Sequence, residues 1–283
     1  MSNEEQIAYW NGDAGRKWAS RDQQMAGLLA PIAEALMDHA QIDGRKTVLD
    51  VGCGGGSETL LLAKRLGVGA SILGADISTP LLEVASQRLA EAGDMGRQVR
   101  FLEADAASHP FGAGEFDLLF SRFGVMFFDD PTRAFTHLRS AMQPQGKLAF
   151  CCWQALRDNP WTAVPLKAAL QVLPAPPPPT PRAPGPFAFA EEDYVASLLE
   201  VAGWRDIDIA PHRVSMRWGG EQGLAANVRE LVNTGPVGRL LVAATDEQRE
   251  AVYAAAEEVL AKYFDGEALS LSGGVWMVTA RNE

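Results

Sequence analysis

The chain of 283 residues is 47% hydrophobic and 22% charged, long enough to bury one sizeable core, alone or with an added lobe. Its formal net charge of −11 argues against a nucleic-acid backbone or an anionic membrane surface as the main partner. No apolar run approaches the roughly 18 residues of a membrane span, and the start, MSNEEQIAYWNGD, lacks the basic and apolar stretches of a secretion signal. Cys53, Cys151 and Cys152 form neither a disulfide framework nor a CxxC metal spacing, which suits a cytoplasmic protein with packing thiols.

In chain order, residues 1–40 read as an N-terminal helical cap, with a helical stripe of Leu28, Leu29, Ile32, Leu36 and Ala40 over 24–40. Tyr9, Trp10 and Trp18 stand before that stripe, where the segment either closes over a ligand or simply caps the sheet. Strand-like runs follow at 47–51, 71–76, 99–103, 116–121 and 146–152, with helices between them. One helix is expected over 80–92, with Thr79 as cap and Pro80 at its first position. Another opens at Asp130-Pro131 and buries Ala134, Phe135, Leu138 and Met142. Alternation of this kind predicts a parallel sheet covered on both faces, with the loops after successive strands along one edge.

After Cys152 the pattern changes. Residues 154–190 join a short apolar helix to a proline-rich segment, 174–186, read as a stiff strap that pins Phe187 and Phe189 over a pocket. A helix over 191–202 is stopped by Gly203, and strands at 205–210 and 274–280 close the sheet. Between them, 221–264 reads as a helical insertion with a capping box at Thr245 and Gln248. The expectation is one domain over 1–283 rather than two in tandem.

The chemistry concentrates in TVLDVGCGGGS, residues 47–57. A strand, a glycine turn and a helix make a ligand site at the strand's carboxyl end, where Gly52 and Gly54 let the chain turn and a ligand approach. Asp76, ending the next strand, suits a ribose, which a nicotinamide or flavin enzyme would share. Asp50, ahead of the glycines, instead calls for a cationic ligand. Asp105 ends the third strand and, with the backbone of Ala106, could bind an adenine. Carboxylates at all three strand ends fit a cationic, ribose- and adenine-bearing ligand better than one with two phosphates.

This layout resembles the class I S-adenosylmethionine-dependent methyltransferases over residues 45–153. VLDVGCGGG is similar to the family's first motif, EADAASHPF to its adenine segment and FDLLFSRFGVMFF to its fourth-strand motif. LRSAMQPQGKLAF is similar to the helix and turn before strand five, with Gln145 where the family usually has glycine. SRFGVMFFDDP, NPW and PGPFAFAEED resemble bacterial quinone-type, small-molecule methyltransferases. The resemblance implies an α/β, Rossmann-like sheet of seven strands in the order 3-2-1-4-5-7-6, strand 7 antiparallel, with helices on both faces. It implies S-adenosylmethionine as cofactor, S-adenosylhomocysteine as product, and contacts at Asp50, Gly52, Cys53, Gly54, Asp76, Ile77, Asp105, Ala106 and Ser121. The acceptor is then a small, apolar or aromatic molecule, with no metal, nucleic acid or membrane involved. The methylated atom and the subunit count stay open.

Two alternatives remain: a protein of the same fold that binds the cofactor for regulation or rearrangement, and a nicotinamide-dependent oxidoreductase. As polar helpers the sequence offers Arg122 and His109. Arg122 pairs either with an acceptor carboxylate or phenolate, or with Asp129 or Asp130; His109 lies at the pocket edge or serves a turn. His39, His137 and His212 read as capping, surface or distant residues. Trp18, Phe123, Phe128, Trp153, Trp161 and Phe187 are candidate pocket walls, with core packing as the alternative for each.

Overall fold

The computed structural model describes residues 2–178, 180–219 and 223–283. Three helices come first: α1 (Asn3–Asn11), α2 (Asp13–Ser20) and α3 (Asp22–Ala40). A βα alternation follows, with β1 (Thr47–Val51), α4 (Ser57–Leu66), β2 (Ser71–Asp76), α5 (Thr79–Glu91), β3 (Val99–Glu103), β4 (Phe116–Arg122), α6 (Pro131–Ser140) and β5 (Met142–Trp153). The remainder contains α7 (Pro160–Ala169), α8 (Glu192–Val201), β6 (Arg205–Trp218), α9 (Gly223–Thr234), α10 (Pro236–Leu240), α11 (Asp246–Leu260) and β7 (Leu269–Arg281). The strands form one mixed sheet in the order β3-β2-β1-β4-β5-β7-β6, with β7 antiparallel, as the resemblance implied.

β1 pairs in parallel with β2 and β4, so Asp50 lies between Gly74 and Phe120 in register. The central strands read as near-continuous apolar runs because both of their faces are covered: Val48, Leu49, Leu118, Leu119, Phe120, Leu148 and Ala149 have no exposed surface. Right-handed crossovers then bring the loops after β1, β2 and β4 to one edge, which is where the site is built.

Several expectations need correction. The cap position of α5 is held by Ser78, not Thr79; the Ser78 hydroxyl donates to the Trp10 carbonyl, and Asn11 Oδ1 accepts from the Thr79 N–H instead. β5 begins at Met142, four residues before its expected start at 146, so Met142 belongs to a strand. Gln145 lies inside it at φ 62°, the left-handed conformation for which glycine is the usual choice. β6 and β7 are much longer than expected. Phe189 is buried in a core cluster with Phe135, Phe150 and Tyr194 and is no pocket wall, while Phe187 is half-buried. Residue 179 of the strap and residues 221 and 222 of the expected insertion lie outside the described residues.

The chain divides into two compact units. The first comprises Met1–Trp153, Arg182–Pro211 and Trp276–Glu283; the second comprises Gln154–Pro181 and His212–Val275. In the second unit α11 packs on α7 and α9, burying Val228, Leu231, Val232, Val252, Ala256 and Leu260. Its α11 starts with the expected capping box: Thr245 Oγ1 accepts from the Gln248 N–H, and Gln248 Oε1 accepts from the Thr245 N–H.

Candidate active site

The glycine turn serves two purposes that the sequence does not separate. A Cβ on Gly52 would lie 2.7 Å from the Gly124 Cα, so Gly52 is glycine because the loop after β4 crosses it backbone to backbone. Gly55 and Gly56 are similarly crowded, by Asp22 and by Phe101. Gly54 differs: at φ 52° it faces open space, with the Leu81 side chain 4.0 Å away as the nearest atom. Of these four glycines, Gly54 is the one that leaves room for a ligand. The N–H groups of Gly52 and Cys53 both donate to the Ala75 carbonyl, which pins the turn to β2.

Asp76 is the last residue of β2 and Asp50 the last but one of β1, whereas Asp105, expected to end the third strand, lies two residues past β3; the three acids are in different states of engagement. Asp50 is 1% exposed, and its Oδ2 accepts from Thr59 Oγ1 at 2.7 Å. Burial pushes its carboxyl up to about 7; Glu58 and Asp76 add to the shift, while the Thr59 hydrogen bond and Arg122 oppose it. Asp76 accepts from the Gly54 and Ser78 N–H groups, each at 2.8 Å, so it shapes the glycine turn from across the β1–β2 boundary. Burial raises it too, against the pull of those backbone donors. Asp105 closes its own turn through the Ala107 N–H and Ser108 Oγ, and accepts from Asn3 Nδ2 at 3.0 Å.

Arg122 is not paired with Asp129 or Asp130, and Asp130 caps α6 through the Arg133 N–H. The Arg122 Nη2 instead meets Glu58 Oε1 on the first turn of α4, with the two side chains 13% and 7% exposed. Its Nε and Nη1 are buried without a hydrogen-bond partner. Leaving such donors unmet costs about 1–3 kcal/mol each, more on a charged group. Ser121 Oγ is committed to the Val51 carbonyl at 2.7 Å and ties β4 to β1. Cys53 is buried with its thiol pushed up by burial, a packing residue against Gly74.

His109 is a turn residue: its N–H donates to the Asp105 carbonyl and its ring lies edge-on to Phe111 at 4.7 Å. It lines a shallow groove with Arg100 and Glu115 along β3, not the Asp50–Arg122 cluster, so it is withdrawn as a polar helper. His137, expected on the surface, is half-buried and its Nε2 meets the His109 carbonyl at 2.7 Å.

The N-terminal helices lie over the strand-end loops. Asn3 reaches Asp105, and Asn11 Nδ2 donates to the Ile77 carbonyl at 2.8 Å. Arg88 of α5 joins the Gly55 carbonyl to Asp22 at the start of α3. Trp10 packs edge-on against Phe127 and tilts toward Trp18. Phe123, at φ 65°, stacks on Trp153 with ring centres 4.3 Å apart. Phe128 is edge-on to Phe135 and joins the core cluster. Trp161 is buried in the second unit, stacked on Trp218. Of the expected pocket walls, then, Phe123 and Trp153 stack at the ends of β4 and β5, Trp18 neighbours Trp10 of the N-terminal helices, and Phe128 and Trp161 are packing residues; Ala106, expected as a cofactor contact, is buried.

Sequence reasoning missed Glu58, Thr59, Arg88, Asn3 and Asn11. Glu58 and Thr59 follow the glycine turn directly and could have been read as its acidic first helical turn; the others act across dozens of residues with no local signal.

S-adenosylmethionine fits these residues. An open glycine, acids at three strand ends and a guanidinium with unmet donors complement an adenosyl group carrying an ammonium, a carboxylate and a sulfonium.

Comparison with known proteins agrees. Residues 49–150 match the methyltransferase domain family. The chain is 42% identical over 103 residues to the demethylmenaquinone methyltransferase of Thermus thermophilus, covering 36% of this chain and 45% of that protein. It is 31% identical over 172 residues to an uncharacterised protein of Mycobacterium tuberculosis, covering 61% and 58%. In fold it is similar to phosphoethanolamine N-methyltransferase 2 of Haemonchus contortus in complex with S-adenosyl-L-methionine, at 16% identity and TM-score 0.55, covering 89% of this chain and 53% of that one. The chain spans about half the length of the curated relatives it matches. No helix among the described residues is long and apolar enough to cross a membrane. Over residues 49–150 the chain is similar to the methyltransferase domain family, and its sheet has the strand order that the resemblance to class I, S-adenosylmethionine-dependent methyltransferases implied.

Proposed function

We propose that the chain transfers a methyl group from S-adenosylmethionine to a small apolar or aromatic acceptor by direct displacement. The observation that supports this reading most is Asp76, whose carboxylate accepts from the N–H of Gly54, the glycine of the turn with open space beside it. The cofactor supplies the activated methyl; the protein aligns it with the acceptor and excludes water. Asp76 orients the ribose while fixing the turn, Asp105 and Ala106 face the adenine, and α1 covers that end through Asn3 and Asn11. Phe123 and Trp153 offer a stacked aromatic face at the ends of β4 and β5, suited to a flat acceptor. The demethylmenaquinone methyltransferase among the relatives makes a quinone-type ring the first acceptor class to test. The buried, unpaired cysteines favour a reducing, cytoplasmic setting.

Titration calorimetry with S-adenosylhomocysteine, S-adenosylmethionine and NADH tests the cofactor. Micromolar binding of the adenosyl ligands without NADH is expected, and NADH binding alone would end the reading. Asp76→Ala should weaken S-adenosylhomocysteine by about tenfold or more, since two backbone donors and a ribose partner are lost together. Affinity within about twofold of wild type would make the site assignment wrong. Methyl transfer to a reduced quinone, with release of S-adenosylhomocysteine, separates an enzyme from a protein that only binds the cofactor.

A further inference from the structure

We propose that Glu58 and Arg122 form the charged floor that positions the amino-acid end of the cofactor, with the two unbonded donors of Arg122 directed to its carboxylate. This rests on the methyltransferase reading and extends it to residues outside the strand-end acids.

Asp50, Glu58 and Arg122 sit together below the glycine turn, close enough for each to act on the Asp50 carboxyl. Asp76 of β2 acts on it as well, and Thr59 of α4 is its hydrogen-bond donor. With Asp50, Glu58 and Arg122 all ionised, two carboxylates and one guanidinium leave one negative charge. The cofactor's end groups carry the opposite balance: an ammonium and a sulfonium against one carboxylate. The sulfonium of S-adenosylmethionine complements the cluster's net negative charge, while the ammonium and carboxylate, which S-adenosylhomocysteine shares, meet its carboxylates and its guanidinium.

Geometry then assigns the partners. Glu58 occupies Nη2 of Arg122 and fixes the guanidinium at the end of β4. Nε and Nη1 remain buried and unmet. Serine and backbone groups nearby are already committed: Ser121 Oγ to Val51, and the Gly52 and Cys53 N–H groups to Ala75. Arg122 is therefore a cationic group beside the turn with donors to spare for an anion, and a planar guanidinium suits a carboxylate. Glu58 acts through Arg122 and is a positioning residue.

The test compares two ligands that share the adenosyl group. S-adenosylhomocysteine carries the amino-acid end; methylthioadenosine lacks it. Wild type, Glu58→Gln, Arg122→Met and Arg122→Lys are titrated with both, using competition where direct heats are small. Glu58→Gln and Arg122→Met should weaken S-adenosylhomocysteine by about tenfold while methylthioadenosine stays within about twofold, and Arg122→Lys should recover part of the loss. Should Arg122→Met not fold, Glu58→Gln keeps an acceptor oxygen and Arg122→Lys keeps the charge, so the comparison survives. A parallel loss for both ligands would show that the pair only props the turn, and unchanged S-adenosylhomocysteine binding in Glu58→Gln and Arg122→Lys would also overturn the proposal. If wild type binds neither ligand, the methyltransferase reading fails instead.

Discussion

Two buried polar groups, one in each unit, use their hydrogen-bonding capacity in opposite ways. In the second unit Asn159 has no exposed surface and makes four hydrogen bonds. Its Nδ2 donates to the Gln154 and Ala155 carbonyls, and its Oδ1 accepts from Trp161 Nε1 and the Gly274 N–H. In the first unit Arg122 meets one partner and leaves Nε and Nη1 unmet. A neutral amide with all four capacities filled is complete as architecture. A guanidinium left part-filled beside two acids is incomplete without something else. What the difference teaches is that burial alone does not mark a site; buried capacity left over, on a charged group, does.

The largest effect should come from the saturated side. Asn159→Ala leaves an indole N–H, a backbone N–H and two carbonyls without their partner in a closed interior. The expected cost is about 3–5 kcal/mol, which lowers the melting temperature by roughly 10 °C for a chain of this size. Calorimetric or circular-dichroism melts check it. A drop of only a degree or two would mean that the amide is replaceable by water and that saturation says little about architecture.

A smaller effect, of opposite sign, is expected at Asp50. Its folded carboxyl sits at about 7, above the ordinary value of 3.8, because burial disfavours the anion. Between those values the folded state holds a proton that the unfolded state has released. Stability therefore falls as pH rises through this window and is lowest above it. Asp50→Asn cannot ionise, and its Oδ1 can still accept from Thr59. At pH 8 the variant should be more stable than wild type by a few kcal/mol, with about 4 as the ceiling; at pH 4 the two should coincide. The same change should weaken S-adenosylmethionine, whose positive groups favour the ionised form. Melts across that range test the first half, and a stability difference independent of pH would remove the charged-cluster account.

How much of this was legible in the sequence depends on the range over which the physics acts. The boundaries of β1, β2 and β3 follow from apolar runs closed by Asp50, Asp76 and the turn at Asp105, all local signals. The capping box at Thr245 is local too. The expected strand at 205–210 stops just before Pro211, yet β6 continues through the proline to Trp218, as an edge strand can because a missing N–H is tolerated there. Beyond the proline, Val214, Met216 and Trp218 are buried while Arg213, Ser215 and Arg217 are exposed, a period of two that the residues do display. β7 likewise starts at Leu269, ahead of the Gly273-Gly274 pair, where 274 was the expected start. In the site, the acids were readable because each lies within two residues of a strand's end. The Glu58–Arg122 pair, the Asn3–Asp105 contact and the Gly52–Gly124 crossing were not, since each joins residues that only the fold makes neighbours.

The smallest expected effect tests whether charge is what distinguishes the two sides. Thr162 in the second unit is 1% exposed, and its Oγ1, like Arg122 Nε, is buried without a partner. A hydroxyl is neutral, rotates freely about its bond and demands far less than a guanidinium fixed by an ion pair. Thr162→Val keeps the shape and removes the unmet group, so stability should stay within about 1 kcal/mol of wild type or rise slightly. Denaturant titration with an unchanged slope is the appropriate readout, because it reports stability without a change in the surface exposed on unfolding. A loss of more than about 2 kcal/mol would mean that this hydroxyl also has an occupant. The contrast would then lie between filled and unfilled capacity of any kind, and Arg122 would lose its special standing as the marker of the site.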